Sequence, residues 1–331
     1  MVCRKAEEWS LRRREFTALF GGVLAGWPLM ARAQQQKVRV IGILVGGIPD
    51  PTEFVRVIRE ELSKLGYIES QNCRYEVRSA GGKQHLLPEL AAELVSIPAD
   101  ILITWLTPPS VAARDATKEL PIVVASAGDP VATGLVASLA RPGRNITGTS
   151  AIAAEIMSKN VELIREAIPT ASRIGVFANS LDPFTPPFLK EIEAAAKSLR
   201  LNLKTIMARP SDDPVPHFQS FHDNKVDALI VQPTLIRPGI AELAEEYLLP
   251  SITMVVSYAH AGGLMAYGAN GPALWRQAAA YVDRILKGER PANLPILQPT
   301  DFDLVINLKT AKALGLELPA SLLSRADEVI E

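Results

Sequence analysis

The chain of 331 residues carries 35 Lys and Arg against 36 Asp and Glu, a formal net charge of −1. That balance supplies no clustered positive field for phosphates, so no nucleic-acid partner is expected. Roughly 300 residues follow the first apolar run, more than one compact core normally takes, and they predict two domains.

Residues 11–36 read LRRREFTALFGGVLAGWPLMARAQQQ, three arginines before an apolar run that closes in Ala31-Arg32-Ala33. The uncharged part is shorter than the roughly 20 apolar residues of a membrane span. Gly21, Gly22, Gly26 and Pro28 weaken a core helix, and the apolar residues form no single stripe. A basic start, a short apolar segment and small residues at −3 and −1 fit an export signal cleaved after Ala33, so the mature chain would begin at Gln34. Arg13-Arg14-Glu15-Phe16 resembles the twin-arginine motif, with an ordinary secretory leader as the alternative. The expected location is therefore periplasmic, without stable membrane insertion of the mature chain. Without residues 1–33 the chain has 29 bases and 33 acids. Cys3 leaves with the leader, Cys73 is alone, and no intramolecular disulfide can form.

Beyond the leader, short β-branched runs alternate with longer amphipathic ones. The expected elements are strand 38–45, helix 52–65, strand 72–78, helix 85–96, strand 100–104, helix 111–118 and strand 122–125. A break follows near 141–148, where Pro142, Gly143 and Gly148 interrupt regular structure. The pattern then repeats: helix 155–168, strand 174–177, helix 187–199, strand 203–207, helix 216–224, strand 228–231, helix 240–247 and strand 252–256. A helix over 274–286 and a strand over 302–306 complete it. Alternation of this kind predicts α/β lobes, each a doubly wound, Rossmann-like parallel sheet covered by helices on both faces. Chain left over after both lobes are built crosses back between them through a multi-crossing hinge. The expected domains are 38–148 plus about 268–295, and 149–267 plus about 296–331. Between such lobes the ligand belongs in the cleft facing the carboxyl ends of the strands.

Catalytic and cofactor motifs are absent from the sequence. The first strand–helix turn, Gly42-Ile-Leu-Val-Gly46-Gly47, lacks the dinucleotide spacing. Ala80-Gly-Gly-Lys83 lacks the first glycine and the Ser/Thr of a phosphate loop. His217 and His222 are five apart with no Glu after His217, so no metal is expected. No Gly-x-Ser-x-Gly elbow occurs. These absences favour a protein that binds and releases its ligand unchanged, with no catalytic residue and no cofactor. An exported α/β enzyme using Asp129 or a histidine as base is the runner-up, and a ligand-sensing domain of the same fold is a third reading.

The candidate ligand contacts sit in the loops after the strands. Gly46 follows the first. After the third, Trp105 reads as a stacking wall or as hydrophobic filler, and Thr107 as a ligand hydroxyl or a helix cap. Ser126 and Asp129 follow the fourth, with Asp129 facing a ligand amine or capping the next turn. Asn179, Gln232, Thr234 and Tyr258 occupy the corresponding loops of the second half. Tyr267 lies in Gly262-Gly-Leu-Met-Ala-Tyr-Gly268, whose glycines suit a close crossing between lobes.

The segments Arg13–Phe16, Gly128-Asp-Pro130, Gly134–Leu139, Arg141-Pro-Gly143, Gly262–Met265 with Tyr267-Gly268, Arg284–Gly288 and Leu304–Gly315 resemble the ABC transporter substrate-binding protein family that includes tryptophan/phenylalanine-type receptors. The resemblance implies a type I periplasmic binding fold, three crossings, and delivery of a small-molecule ligand to an inner-membrane ABC permease. It places Thr107, Ser126, Asn179 and 232–234 on pocket loops. Many members of that family carry a small residue where this chain has Trp105, and a charged residue, often Arg, near Val256. Both departures imply a bulkier, less polar cleft, which shifts the expected ligand from an amino acid toward an aromatic or otherwise partly apolar carboxylate or amide.

Overall fold

A computed structural model of the chain describes residues 38–46, 50–151 and 155–331. The export-signal reading concerns residues 1–37 and lies outside the described residues. Among those described, no helix is long and apolar enough to cross a membrane.

The chain runs β1 (Arg39–Val45), α1 (Thr52–Lys64), β2 (Cys73–Ser79), α2 (Leu87–Ser96), β3 (Ile101–Trp105), α3 (Thr107–Ala116), β4 (Ile122–Ala127) and β5 (Ile146–Ser150). It continues through α4 (Glu155–Ala167), β6 (Arg173–Asn179), α5 (Thr185–Ser198), β7 (Asn202–Ala208), α6 (Val215–Asp223), β8 (Ala228–Val231), α7 (Ile240–Glu246) and β9 (Ser251–Thr253). It ends with α8 (Ser257–His260), β10 (Met265–Ala269), α9 (Gly271–Leu286), β11 (Phe302–Asn307), α10 (Leu308–Ala313), α11 (Ala320–Leu323) and β12 (Glu328–Ile330).

Two sheets result. The first is ordered β2-β1-β3-β4-β5 and is parallel throughout. The second is ordered β12-β11-β10-β9-β8-β6-β7. Its stretch β7-β6-β8-β9-β10 repeats the order of the first sheet, and β11 adds antiparallel to β10. In each half the order reverses beside the first strand, the switch point at whose carboxyl end a crevice opens. Strands β3, β4 and β8 are buried along their whole length because helices cover both faces. The edge strands β2 and β7 keep exposed residues.

The chain crosses between the sheets after β5, between β10 and α9, and between residues 294 and 302. The sheets thus exchange chain at Ser150 and Ala269, two residues beyond the expected 148 and 267. Residues 294–297 lie along β5: Leu297 N donates to Gly148 O at 2.9 Å, Ser150 N to Leu297 O at 2.8 Å, and Thr147 Oγ1 to Leu294 O at 2.8 Å. At the second crossing Asn270 caps α9, its Oδ1 accepting from Ala273 N at 2.9 Å. Pro272 stands in the first turn, where its missing N–H costs no helical bond. Asn270 Nδ2 also donates to Asp303 Oδ2 at 2.8 Å, tying that crossing to β11. Helix α9 carries Leu274, Trp275, Ala278, Ala279 and Val282 on its buried face, and α1 answers with Phe54, Val57, Ile58 and Leu62. That i, i+3, i+4 spacing lets the two helices pack on the first sheet.

β5 passes so close to β4 that a Cβ at Gly148 would stand 1.9 Å from Val124 O, and Gly148 adopts φ +139°. The β4–β5 register shifts between Val124 and Ala127. Gly148→Ala should therefore force the two strands apart and cost about 1–3 kcal/mol. Urea denaturation measures it; an unchanged midpoint would mean that β5 tolerates a side chain there.

Candidate ligand-binding site

A cavity of about 320 Å³ opens between the carboxyl ends of the two sheets. The first sheet contributes Trp105, Leu106 and Ser126, the second Pro233 and residues 254–257, and the second crossing Gly271, Leu274 and Trp275. A wider space of about 600 Å³ shares Glu53, Trp105, Val255, Ser257 and Trp275 and continues it toward Arg56 and Arg237.

Three rings pack together, Trp105 and Trp275 on the cavity and Phe54 behind them in the core. Phe54 and Trp105 stack with centroids 5.3 Å apart and 16° between planes. Trp275 meets both edge-on, at 5.6 Å from Phe54 and 5.7 Å from Trp105. Stacked and edge-to-face pairs of this kind add about 0.5–1.5 kcal/mol each beyond area burial. The cluster unites α1, β3 and α9, elements far apart in the chain.

The backbone at the strand ends is unusual. Leu106 has φ 69° and Ser126 φ 55°, both in the region that side-chain-bearing residues avoid. Ser126 falls within the shifted β4–β5 register, and a bulge of this kind re-aims a side chain. Its N–H donates to Thr149 Oγ1 at 3.0 Å, while its Oγ is buried without a partner. Trp275 Nε1 is likewise buried and unpaired. Strain and unspent polar groups coincide at the cavity, as they do where a fold sacrifices stability for binding.

The other expected contacts are engaged elsewhere. Gly46 O accepts from Gly82 N at 2.8 Å. Thr107 Oγ1 accepts from Gly128 N at 2.9 Å and joins α3 to the end of β4. Asp129 Oδ1 caps the following turn through Val131 N and Ala132 N. Tyr258 reaches the wider space, but its hydroxyl is 2.8 Å from Ser251 Oγ, and burial pushes that phenol far up. Tyr267 stacks on Phe302 at 6.1 Å within the core of the second sheet.

Asn179, Gln232 and Thr234 form one buried network around Asp182. Gln232 Oε1 accepts from Asn179 N at 2.7 Å, and Gln232 Nε2 donates to Asp182 Oδ2 at 3.1 Å. Thr234 Oγ1 accepts from Asn179 Nδ2 and donates to Asp182 Oδ2, each at 2.9 Å. Phe184 N donates to Asp182 Oδ1 at 2.9 Å. These bonds set the loops after β6 and β8, and Pro233 between two of their members reaches the cavity. Burial raises the Asp182 carboxyl to about 6 in spite of these donors. Phe184, next to the network, lies against the first lobe: a Cβ on Gly128 would meet its ring at 2.4 Å.

Sequence reasoning reached Trp105 and Ser126 through their positions after strands. It missed Leu106 and Trp275, which also line the cavity. Trp275 stands one turn into a helix that reads as ordinary amphipathic, and its place just after the glycine-rich crossing at 268–271 was the available signal.

Cleft, crossings and repeated sheet order together define a two-lobed binding protein of the type I periplasmic architecture. The model of the ABC transporter substrate binding protein family matches residues 37–330, and the chain belongs to that family. A tyrosine-binding protein of Clostridioides difficile is 27% identical over 269 residues, 80% of this chain and 76% of that one. A conserved domain protein from Vibrio cholerae superimposes with a TM-score of 0.83 at 27% identity, covering 88% of this chain and all of that one. The ABC domain in complex with L-Trp from Streptococcus pneumonia gives 0.80 at 25% identity, covering 88% and 99%.

Because the folded carboxyl of Asp182 sits above its ordinary value of 3.8, the folded state holds that proton more tightly than the unfolded chain. Its contribution to stability is complete below about pH 3.8 and disappears as pH rises through about 6. Asp182→Asn removes this titration and sets an amide N–H against Gln232 Nε2, a mismatch worth about 1–3 kcal/mol. Across urea denaturations between about pH 4 and about pH 7, the stability advantage of the wild type over the variant should shrink as pH rises. An advantage that grows with pH would refute this assignment.

Proposed function

We propose that the protein is the periplasmic receptor of an ABC importer, which closes its two lobes on a small aromatic or otherwise partly apolar carboxylate or amide and hands it to an inner-membrane permease. The cavity built jointly by both sheets carries this reading, because a ligand there touches both lobes only when they are together. Such a ligand favours the closed state by its difference in affinity for closed and open forms. The rings of Trp105 and Trp275 suit a planar apolar group, and the relatives named for tyrosine and bound to L-Trp support an aromatic one. Trp105 and Ser126 are the proposed contacts among the residues first read from the strand ends. Thr107, Asn179, Gln232 and Thr234 hold the walls around them. No bond of the ligand is made or broken in this cycle.

A panel of aromatic acids, amides and amino acids, followed by thermal unfolding, tests the reading. A true ligand at about 100 times its dissociation constant adds about 2.7 kcal/mol, a clear rise in Tm, and small-angle scattering should show the particle contract with it. A panel in which only polar, non-aromatic amino acids raise Tm would sink the aromatic assignment.

Export by the twin-arginine route with cleavage after Ala33 completes the proposal. Mass spectrometry of the exported protein should find Gln34 at the amino terminus, and an uncut chain in the membrane fraction would contradict it.

A further inference from the structure

Among the residues lining the 320 Å³ cavity there is no Lys and no Arg. Arg237, at the wider mouth, donates to Pro210 O and Asp212 O, and Arg56 pairs with Glu60 at 2.7 Å. Residues 47–49 and 152–154, outside the described set, contain no ionisable side chain. Two ionisable groups do line the space. Glu53 is more than half exposed and would repel a carboxylate, and His260 lies 3.4 Å from Glu328. A carboxylate enclosed in the 320 Å³ cavity itself would give up its hydration with no Lys or Arg beside it, which is costly; Arg56 and Arg237 stand at the wider mouth. Two residues of the lining do carry unspent polar atoms, each enclosed beside the cavity: Trp275 Nε1, a donor only, and Ser126 Oγ, a donor and acceptor.

We infer that the buried part of the ligand is an uncharged aromatic compound with a carbonyl-type acceptor, held by Trp275 Nε1 and Ser126 Oγ with its ring against Trp105 and Trp275. The inference rests on the receptor reading and sharpens it: the site discriminates against the free zwitterionic amino acids to which its relatives are linked. Both anchors are more than nine-tenths buried, so leaving them unpaired penalises any compound that lacks the acceptor. The same logic excludes a fully apolar ligand. A pocket of this size walled by apolar groups, with a few polar atoms to set orientation, is the usual form of a small-molecule site.

Calorimetric titration of the wild type with five compounds sharing one phenol ring tests the proposal: 4-hydroxyphenylacetamide, 4-hydroxyphenylacetate, tyrosine, tyramine and 4-ethylphenol. The amide should bind at least about tenfold more tightly than any of the others. Trp275→Phe keeps a ring and deletes the N–H, and Ser126→Ala deletes the hydroxyl. Each should weaken the amide about five- to tenfold; Ser126→Ala should leave 4-ethylphenol unchanged, whereas the smaller ring of Trp275→Phe should lower Tm and weaken 4-ethylphenol as well, by less than it weakens the amide. Tightest binding of tyrosine, tyramine or the carboxylate would overturn the neutral-ligand inference and leave the receptor reading intact. Equal loss of amide and 4-ethylphenol in the variants would overturn the anchoring role of the two polar atoms. Binding of none of the five would count against both the inference and the aromatic receptor on which it rests.

Discussion

The approach of β5 to β4, close enough to leave no room for a side chain at residue 148, governs how the cleft is made. A strand that near its neighbour cannot keep an uninterrupted register, and the slip between Val124 and Ala127 absorbs the misfit. Ser126 inherits a left-handed backbone from that slip, and with it a hydroxyl removed from the ladder. On its other side β5 receives residues 294–297, which fastens one crossing to another. A single tight packing step thus joins the hinge to the wall of the site. Its consequence is that hinge geometry and ligand geometry are not independent.

The two lobes supply different things. The first supplies surface: the indoles of Trp105 and Trp275, with Phe54 packed behind them, and two strand ends of strained backbone. In the second lobe the corresponding loops are complete in themselves. Each polar atom among Asn179, Asp182, Gln232 and Thr234 that could have served a ligand serves a neighbour. Networks satisfied in this way rigidify what they join, so the second lobe presents a fixed rim at the loops after β6 and β8, beside the apolar residues 254–256. Gly128 against Phe184 shows how closely the lobes fit on the far side of the hinge.

Legibility followed physics. Buried strands such as 101–105 and 228–231, and amphipathic helices such as α1 and α9, were readable because each answers to a local period. β5 falls in the break read near 141–148 and β10 in the glycine-rich crossing read at 262–268, because Gly148 and Gly268 weaken a strand pattern although a neighbouring backbone requires them. Trp105 and Ser126 were readable as positions after strands. Asn179, Gln232 and Thr234 sat in equivalent places, yet their side chains turned to one another, a choice made by Asp182 in their midst. Trp275 was invisible because a tryptophan on a helix face looks the same whether it fills a core or lines a cavity.

The sequence alone determined the alternation of strand and helix and its repetition, and therefore two lobes built on parallel strands, with the antiparallel β11 outside that pattern. These follow from short-range periodicity and from the handed, helix-covered packing that parallel strands require. Only the tertiary structure decided which residues meet between those lobes. Phe54 and Trp105 meet Trp275 because the chain returns from the second sheet to the first between β10 and α9, and long-range contacts of that kind leave no periodic trace along the chain.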